Sequence, residues 1–250
     1  VLSAFCAAAL TLFSGFGLGS LLLPAFALFF PLKVAVAATA VVPLANNLFK
    51  AGMLWRFPDW RVVLVFGVPG MLAAYLGAMV LNALAGGEAL ASWQLGQKSC
   101  DIRPDGLAIG GLILLFAAFE LHPRGRKVGF PRRYLPLGGV MSGFLGGLSG
   151  HQGALRSAFL LRLNLPREVY IGTGTMCAVL IDLVRIPTYG ASGFAQLEGS
   201  WSVVIAGTVA AFTGSYVGRR LMKKVTMSAI HLLVGVLLVI LGASIASGII

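Results

Sequence analysis

Residues 151–156 read His-Gln-Gly-Ala-Leu-Arg, three strongly polar side chains in a stretch that is otherwise apolar from 134 to 161. A charge at the centre of a membrane helix costs about 2.5–3.5 kcal/mol even on lenient insertion scales, so such groups mark a ligand site or a paired partner. Arg156 offers a planar fork of donors that fits an oxyanion. Gln152 lies four residues earlier, on the same face of a helix, and with His151 adds neutral donors. The chemistry implied is recognition of a small anion. The competing reading is that Arg156 snorkels or pairs with a structural carboxylate.

Two glycine clusters are the next candidates. One runs Ser14-Gly15-Phe16-Gly17-Leu18-Gly19, the other Gly146-Gly147-Leu148-Ser149-Gly150-His151-Gln152-Gly153. Short helices that start or end at such breaks leave backbone N–H groups without partners, and their dipoles favour a small anion at the N-terminal end. Gly17, Gly19, Gly150 and Gly153 are therefore candidate ligands through their backbone, unless they serve only close helix packing. Asp182 and Arg185 stand three apart, on one helical face. Asp182 pairs with Arg156 or Arg185, or takes up a coupling proton. Asn46 and Asn47 occupy the corresponding place in the first half, where amides line a ligand or bond between helices. Thr39 and Thr173 align as well.

These residues sit in a duplicated frame. Residues 142–190 read as a rewritten copy of 14–56: Lys33-Val34-Ala35-Val36-Ala37-Ala38-Thr39 returns as Arg167-Glu168-Val169-Tyr170-Ile171-Gly172-Thr173. Further on, Trp60-Arg61-Val62-Val63 and Tyr75-Leu76-Gly77 return as Trp201-Ser202-Val203-Val204 and Tyr216-Val217-Gly218. The chain is 58% hydrophobic and 11% charged, with mean hydropathy +0.92, against about 25% charged in soluble domains. Apolar runs near 1–30, 34–55, 62–85, 106–121, 134–161, 169–184, 201–218 and 228–250 approach the roughly 20 residues a spanning helix needs. The polar stretch 86–105 is too short to fold alone.

Loop charge chooses the topology. If 1–30 and 134–161 each enter and return as a glycine-broken hairpin, one face carries fourteen Lys and Arg, among them Lys50, Arg162 and Arg167, and the other four: Lys33, Lys98, Arg103 and Arg185. That asymmetry is the positive-inside signal; eight single crossings leave the counts level. The expected fold is an all-α polytopic membrane protein of two inverted repeats, each a re-entrant hairpin plus three spanning helices, about ten helical pieces. The repeats are 1–121 and 134–250, joined by a basic cytoplasmic linker 122–133, with both termini outside the cytoplasm. Inverted halves with broken helices place a site at mid-membrane.

The net charge of +11 belongs to short loops and does not point to nucleic acid. Cys6, Cys100 and Cys177 are scattered, without metal-ligand spacing, and no cofactor or metal is expected. The first segment has no basic n-region and belongs to the repeat, so it does not read as a cleaved signal peptide. Trp55, Trp60 and Trp201 flank segment ends as interfacial anchors do, and lipid is the surrounding partner.

The chain resembles the sulfite exporter TauE/SafE (TSUP) family of bacterial membrane permeases over nearly its whole length. The resemblance rests on the duplicated glycine-rich segment, on the stretches 33–39 and 167–173 that follow it, and on Asp59-Trp60-Arg61. It implies transport of small sulfur-containing or organic anions such as sulfite, thiosulfate or sulfoacetate across a bacterial inner membrane. It also implies a secondary transporter, not an enzyme, with a proton or another ion for coupling. The second copy departs from the family pattern, since Ser149-Gly150-His151-Gln152-Gly153 and Arg156 replace the usual glycine triplet and downstream proline. A passive anion channel is the alternative. A weaker one is a rhomboid-like intramembrane protease, from the Gly-Leu-Ser-Gly match at 147–150 with His231 as base.

Overall fold

The computed structural model describes residues 22, 26, 32–85, 87–96, 98–122, 130–195, 201–221 and 227–249. Within them the chain is mostly helical. Helix α1 is Leu32–Leu54 and carries Pro43. Helix α2, Trp60–Leu84, starts where Asp59 accepts from the Arg61 and Val62 N–H groups at 3.0 and 3.2 Å. It then widens to a π-turn over Val63–Gly67. Helix α3 is Pro104–Leu121, α4 Leu135–Ser149, α5 Gly153–Leu160, α6 Arg167–Ala195, α7 Trp201–Leu221 and α8 Met227–Ala246. The stretches Trp60–Leu84 and Arg167–Tyr189 are long and apolar enough to cross a bilayer.

The polar stretch between α2 and α3 departs from an all-α reading. It forms an antiparallel hairpin, β1 Ala91–Leu95 and β2 Lys98–Ile102, with Ala91 opposite Ile102. Trp93 and Leu95 alternate with Ser92 and Gln94, a period of two that no helix face can use. The hairpin is tied to the end of α8, where Trp93 Nε1 donates to the Ser247 carbonyl at 2.7 Å.

The expected break in 134–161 falls at Gly150, whose φ of 79° closes α4 with an N–H bond back to Gly146 at 2.9 Å. An αL residue at this position is the usual glycine stop. Helix α5 then returns along α4, so that a Cβ on Gly138 would strike the Phe159 ring. The corresponding break around Gly17 and Gly19 lies outside the described residues.

Helices α2 and α4 make the closest contact. Gly139, Gly143 and Gly147, spaced by four, face the carbonyls of Phe66, Gly70 and Ala74, also spaced by four. A small-residue stripe lets backbones approach where lipid supplies no hydrophobic drive between helices. Outward faces carry large apolar side chains such as Leu72, Leu76, Ile205 and Ile240, which suits contact with acyl chains. Gly143→Ala drives a Cβ into the Gly70 carbonyl oxygen. It is expected to lower stability by about 1–3 kcal/mol, read as a fall in melting temperature in detergent. Gly111→Ala, with open space around it, is expected to melt at or above the wild-type temperature.

Candidate functional site

Helix breaks decide which polar groups meet. Pro43 has no N–H, so the Thr39 carbonyl four residues earlier loses its helical donor. The end of α4 likewise leaves carbonyls unmatched. Arg185, on α6, answers the first: Nη2 donates to the Thr39 carbonyl at 3.2 Å, while Nη1 adds a second donor at 3.0 Å to the Gly146 carbonyl, which already accepts the Gly150 N–H. Tyr189, one turn on, donates its hydroxyl to the Gly147 carbonyl at 2.6 Å. Thr39 also reaches the turn itself, since its Oγ1 lies 3.7 Å from where a Gly150 Cβ would stand.

Asp182 balances Arg185 at 2.8 Å, with both side chains buried. Its Oδ1 accepts from Arg185 Nε and from Gln152 Nε2 at 2.7 Å, and its Oδ2 from Asn47 Nδ2 at 3.3 Å. The node thus joins α1, the α4–α5 turn and α6. A buried pair is tolerated when further hydrogen bonds satisfy the remaining donors and lone pairs, and here they do. Asn46 is buried beside Asn47.

Arg156 stands at the edge of this node. Its Nη1 donates to Gln152 Oε1 at 3.4 Å, a long bond, and its Nε lies 3.5 Å from a Cβ position on Gly174. The side chain is partly exposed. Most of the fork is therefore uncommitted among the described residues. His151 is buried with its ring stacked on Phe116 of α3, centroids 5.7 Å apart. Its Nδ1 lies 3.0 Å from the Ser149 carbonyl, so that nitrogen is the donor. A neutral ring then offers Nε2 as an acceptor, not as the neutral donor expected from sequence. Nε2 has no partner among the described residues. Gly153 opens α5 and is buried.

Not every candidate converges. Thr173 accepts from the Asp59 N–H at 2.9 Å, nine residues along α6 from Asp182 and so about 13 Å away by helical rise. It positions the start of α2. Gly17 and Gly19 lie outside the described residues, as does the side chain of His231. Ser149 is buried and donates to the Leu145 carbonyl at 3.0 Å.

Two residues counted as loop charges are corrected: Lys50 is 6% and Arg185 1% exposed, both within helices. Arg185 sits at depth because broken helices supply carbonyls for it. Lys50 and Tyr189 were not among the sequence candidates. For Tyr189 a signal existed, four residues from Arg185 on one face; for Lys50 it was its place three residues after Asn47.

A family model described as sulfite exporter TauE/SafE matches residues 1–245, nearly the whole chain. No curated protein and no solved structure matches the chain.

Asp182→Asn leaves a buried guanidinium uncompensated and is expected to cost about 3–5 kcal/mol, as is Arg185→Met. The double variant is expected to lose less than the two losses added together. Unfolding midpoints of the three proteins in detergent test this, and strict additivity counts against a coupled pair.

Proposed function

The chain belongs to the sulfite exporter TauE/SafE family of membrane transporters, and from that premise we propose that it is a permease for small sulfur-containing or organic anions such as sulfite, thiosulfate or sulfoacetate. The observation that carries the reading is Arg156: a guanidinium inside a membrane helix bundle with one long hydrogen bond to Gln152 and donors to spare. Asp182 does not saturate it, because Arg185, Gln152 and Asn47 already occupy the carboxylate.

In this reading Arg156 neutralises the anion and grips two of its oxygens. The free N–H groups of the first α5 turn at Gly153, Gln152 and the amides of Asn46 and Asn47 orient it. Gly17 and Gly19, outside the described residues, are the candidates of the other half, with Thr39 and Thr173 at the margins of the site. His151 Nε2 or Asp182 takes the coupling proton. Repeats 1–121 and 134–250 are inverted about this site, joined by the linker 122–133, and transport runs by alternating access. The protein resides in a bacterial inner membrane with both termini outside the cytoplasm.

Arg156→Gln removes the charge and shortens the side chain while leaving a polar amide. It is expected to weaken sulfur oxyanion binding by about tenfold to a hundredfold, the range for losing charge-assisted hydrogen bonds, while the melting temperature stays near wild type. Calorimetric titration of purified protein with sulfite, thiosulfate and sulfoacetate reads this directly. Undiminished affinity for all three removes Arg156 from the site.

A further inference from the structure

Asp182 gives two helices a common origin. Asn47 of α1 donates to one of its oxygens and Gln152, which caps the start of α5, to the other. From there both helices run beside the N-terminal part of α6. A Cβ on Gly174 would lie 3.5 Å from Arg156 Nε, and one on Gly172 3.5 Å from the Leu54 carbonyl oxygen. Lys50 follows Asn47 by three residues and Arg156 follows Gln152 by four. Both spacings keep a side chain on one face, about 5 Å further along the axis. The two cations therefore stand at about one level along α6, and Lys50 lies in the electrostatic field of Arg156.

Lys50 is only 6% exposed, and among the described residues no hydrogen bond or ion pair engages its ammonium. Positions two and three residues further along α1, Gly52 and Met53, are exposed; a lysine there would be able to extend away from the interior. Two like charges brought together away from water repel, and a buried ammonium without a partner is costly. Such a pair becomes favourable when an anion joins it. Charge balance gives the size of the demand. Lys50, Arg156 and Arg185 face a single carboxylate, Asp182, among the described residues, and Asp182 is held by Arg185. Two positive charges remain.

We propose that Lys50 is the second cationic ligand of the anion site, and that the site is matched to a doubly charged oxyanion rather than a singly charged one. The inference rests on the permease reading above and adds the charge of the substrate to it. Arg156 holds two oxygens through its fork, while Lys50 supplies a compact point charge that a third oxygen or a second anionic group can meet.

The test compares thiosulfate and sulfate, dianions, with methanesulfonate, a monoanion of similar tetrahedral shape, by calorimetry on the full chain in nanodiscs. Wild type is expected to bind at least one dianion about tenfold or more tighter than methanesulfonate. Lys50→Met is expected to lower dianion affinity about tenfold or more and methanesulfonate affinity less than threefold, so the preference collapses, whereas Lys50→Arg is expected to retain it. A wild-type protein that binds both charge classes equally overturns the dianion inference and leaves the permease reading standing. So does a folded Lys50→Met protein with the wild-type preference. Wild type that binds no sulfur oxyanion at all overturns both. Should Lys50→Met fail to fold, the wild-type preference and its loss in Lys50→Gln decide the matter.

Discussion

The ion pair of Asp182 and Arg185 is the joint on which the described structure turns, and broken helices are the reason it exists. A proline in α1 and a glycine stop at the end of α4 leave backbone carbonyls that water cannot reach. Tyr189 satisfies the one at Gly147 and Arg185 the one at Thr39, with a second Arg185 donor on the Gly146 carbonyl beside the Gly150 N–H, and Arg185 in doing so brings a full charge inside. Asp182 answers the charge. The oxygens of Asp182 then have further lone pairs, which collect Gln152 and Asn47. Each step follows from the one before. The result is a single polar knot that fixes α1, α4, α5 and α6 in register.

A knot so fully bonded is a poor place to bind a travelling ligand. Asp182 has donors on both oxygens, and Arg185 has acceptors for Nε, Nη1 and Nη2. The neighbouring cations differ. Arg156 touches the knot through one long bond, and Lys50 lies a turn from Asn47 without a bond to it. In the proposed reading, positional rigidity and ligand chemistry fall to adjacent but separate groups. The saturated pair holds the scaffold that presents the unsaturated pair. Gln152 links the two, since its amide nitrogen serves Asp182 and its amide oxygen serves Arg156.

The sequence revealed the scaffold better than the site. Apolar runs 62–85, 106–121 and 201–218 lie within a few residues of α2, α3 and α7, because a membrane helix must be apolar along its whole length. The break at Gly150 was legible for the same kind of reason: nothing but glycine serves a left-handed stop so well. The fate of single polar residues was less legible. Lys50 precedes Trp55 and Arg56, a pattern that looks like a helix end at the membrane surface. Yet α1 continues to Leu54, and only the contact of Asn47 with Asp182, 135 residues away, shows which face looks inward. Arg185 misled likewise, since its carbonyl acceptors come from residues 39 and 146 and no local pattern announces them. The hairpin at 91–102 carried a period-two signal that its position in a membrane chain obscured.

Close contacts also constrain how such a molecule moves. Each of the tightest helix pairs takes one member from each half of the chain: α2 with α4, α3 with α8, α1 with α6. Between α2 and α4 no side chain intervenes, and backbone meets backbone along Gly139, Gly143 and Gly147. Parting the halves as two blocks would open that stripe and tear the Asp182 knot at once. Among the described elements, α3 meets α2 and α4 much more sparsely than it meets α8, and the ring contact of Phe116 with His151 crosses that seam. Side chains can slide over one another by changing rotamer, whereas interlocked backbones cannot. In the alternating access proposed above, the cheapest motion is therefore a shift of the α3–α8 pair against the α1–α2–α4–α6 body, with the His151 ring at the seam reporting it.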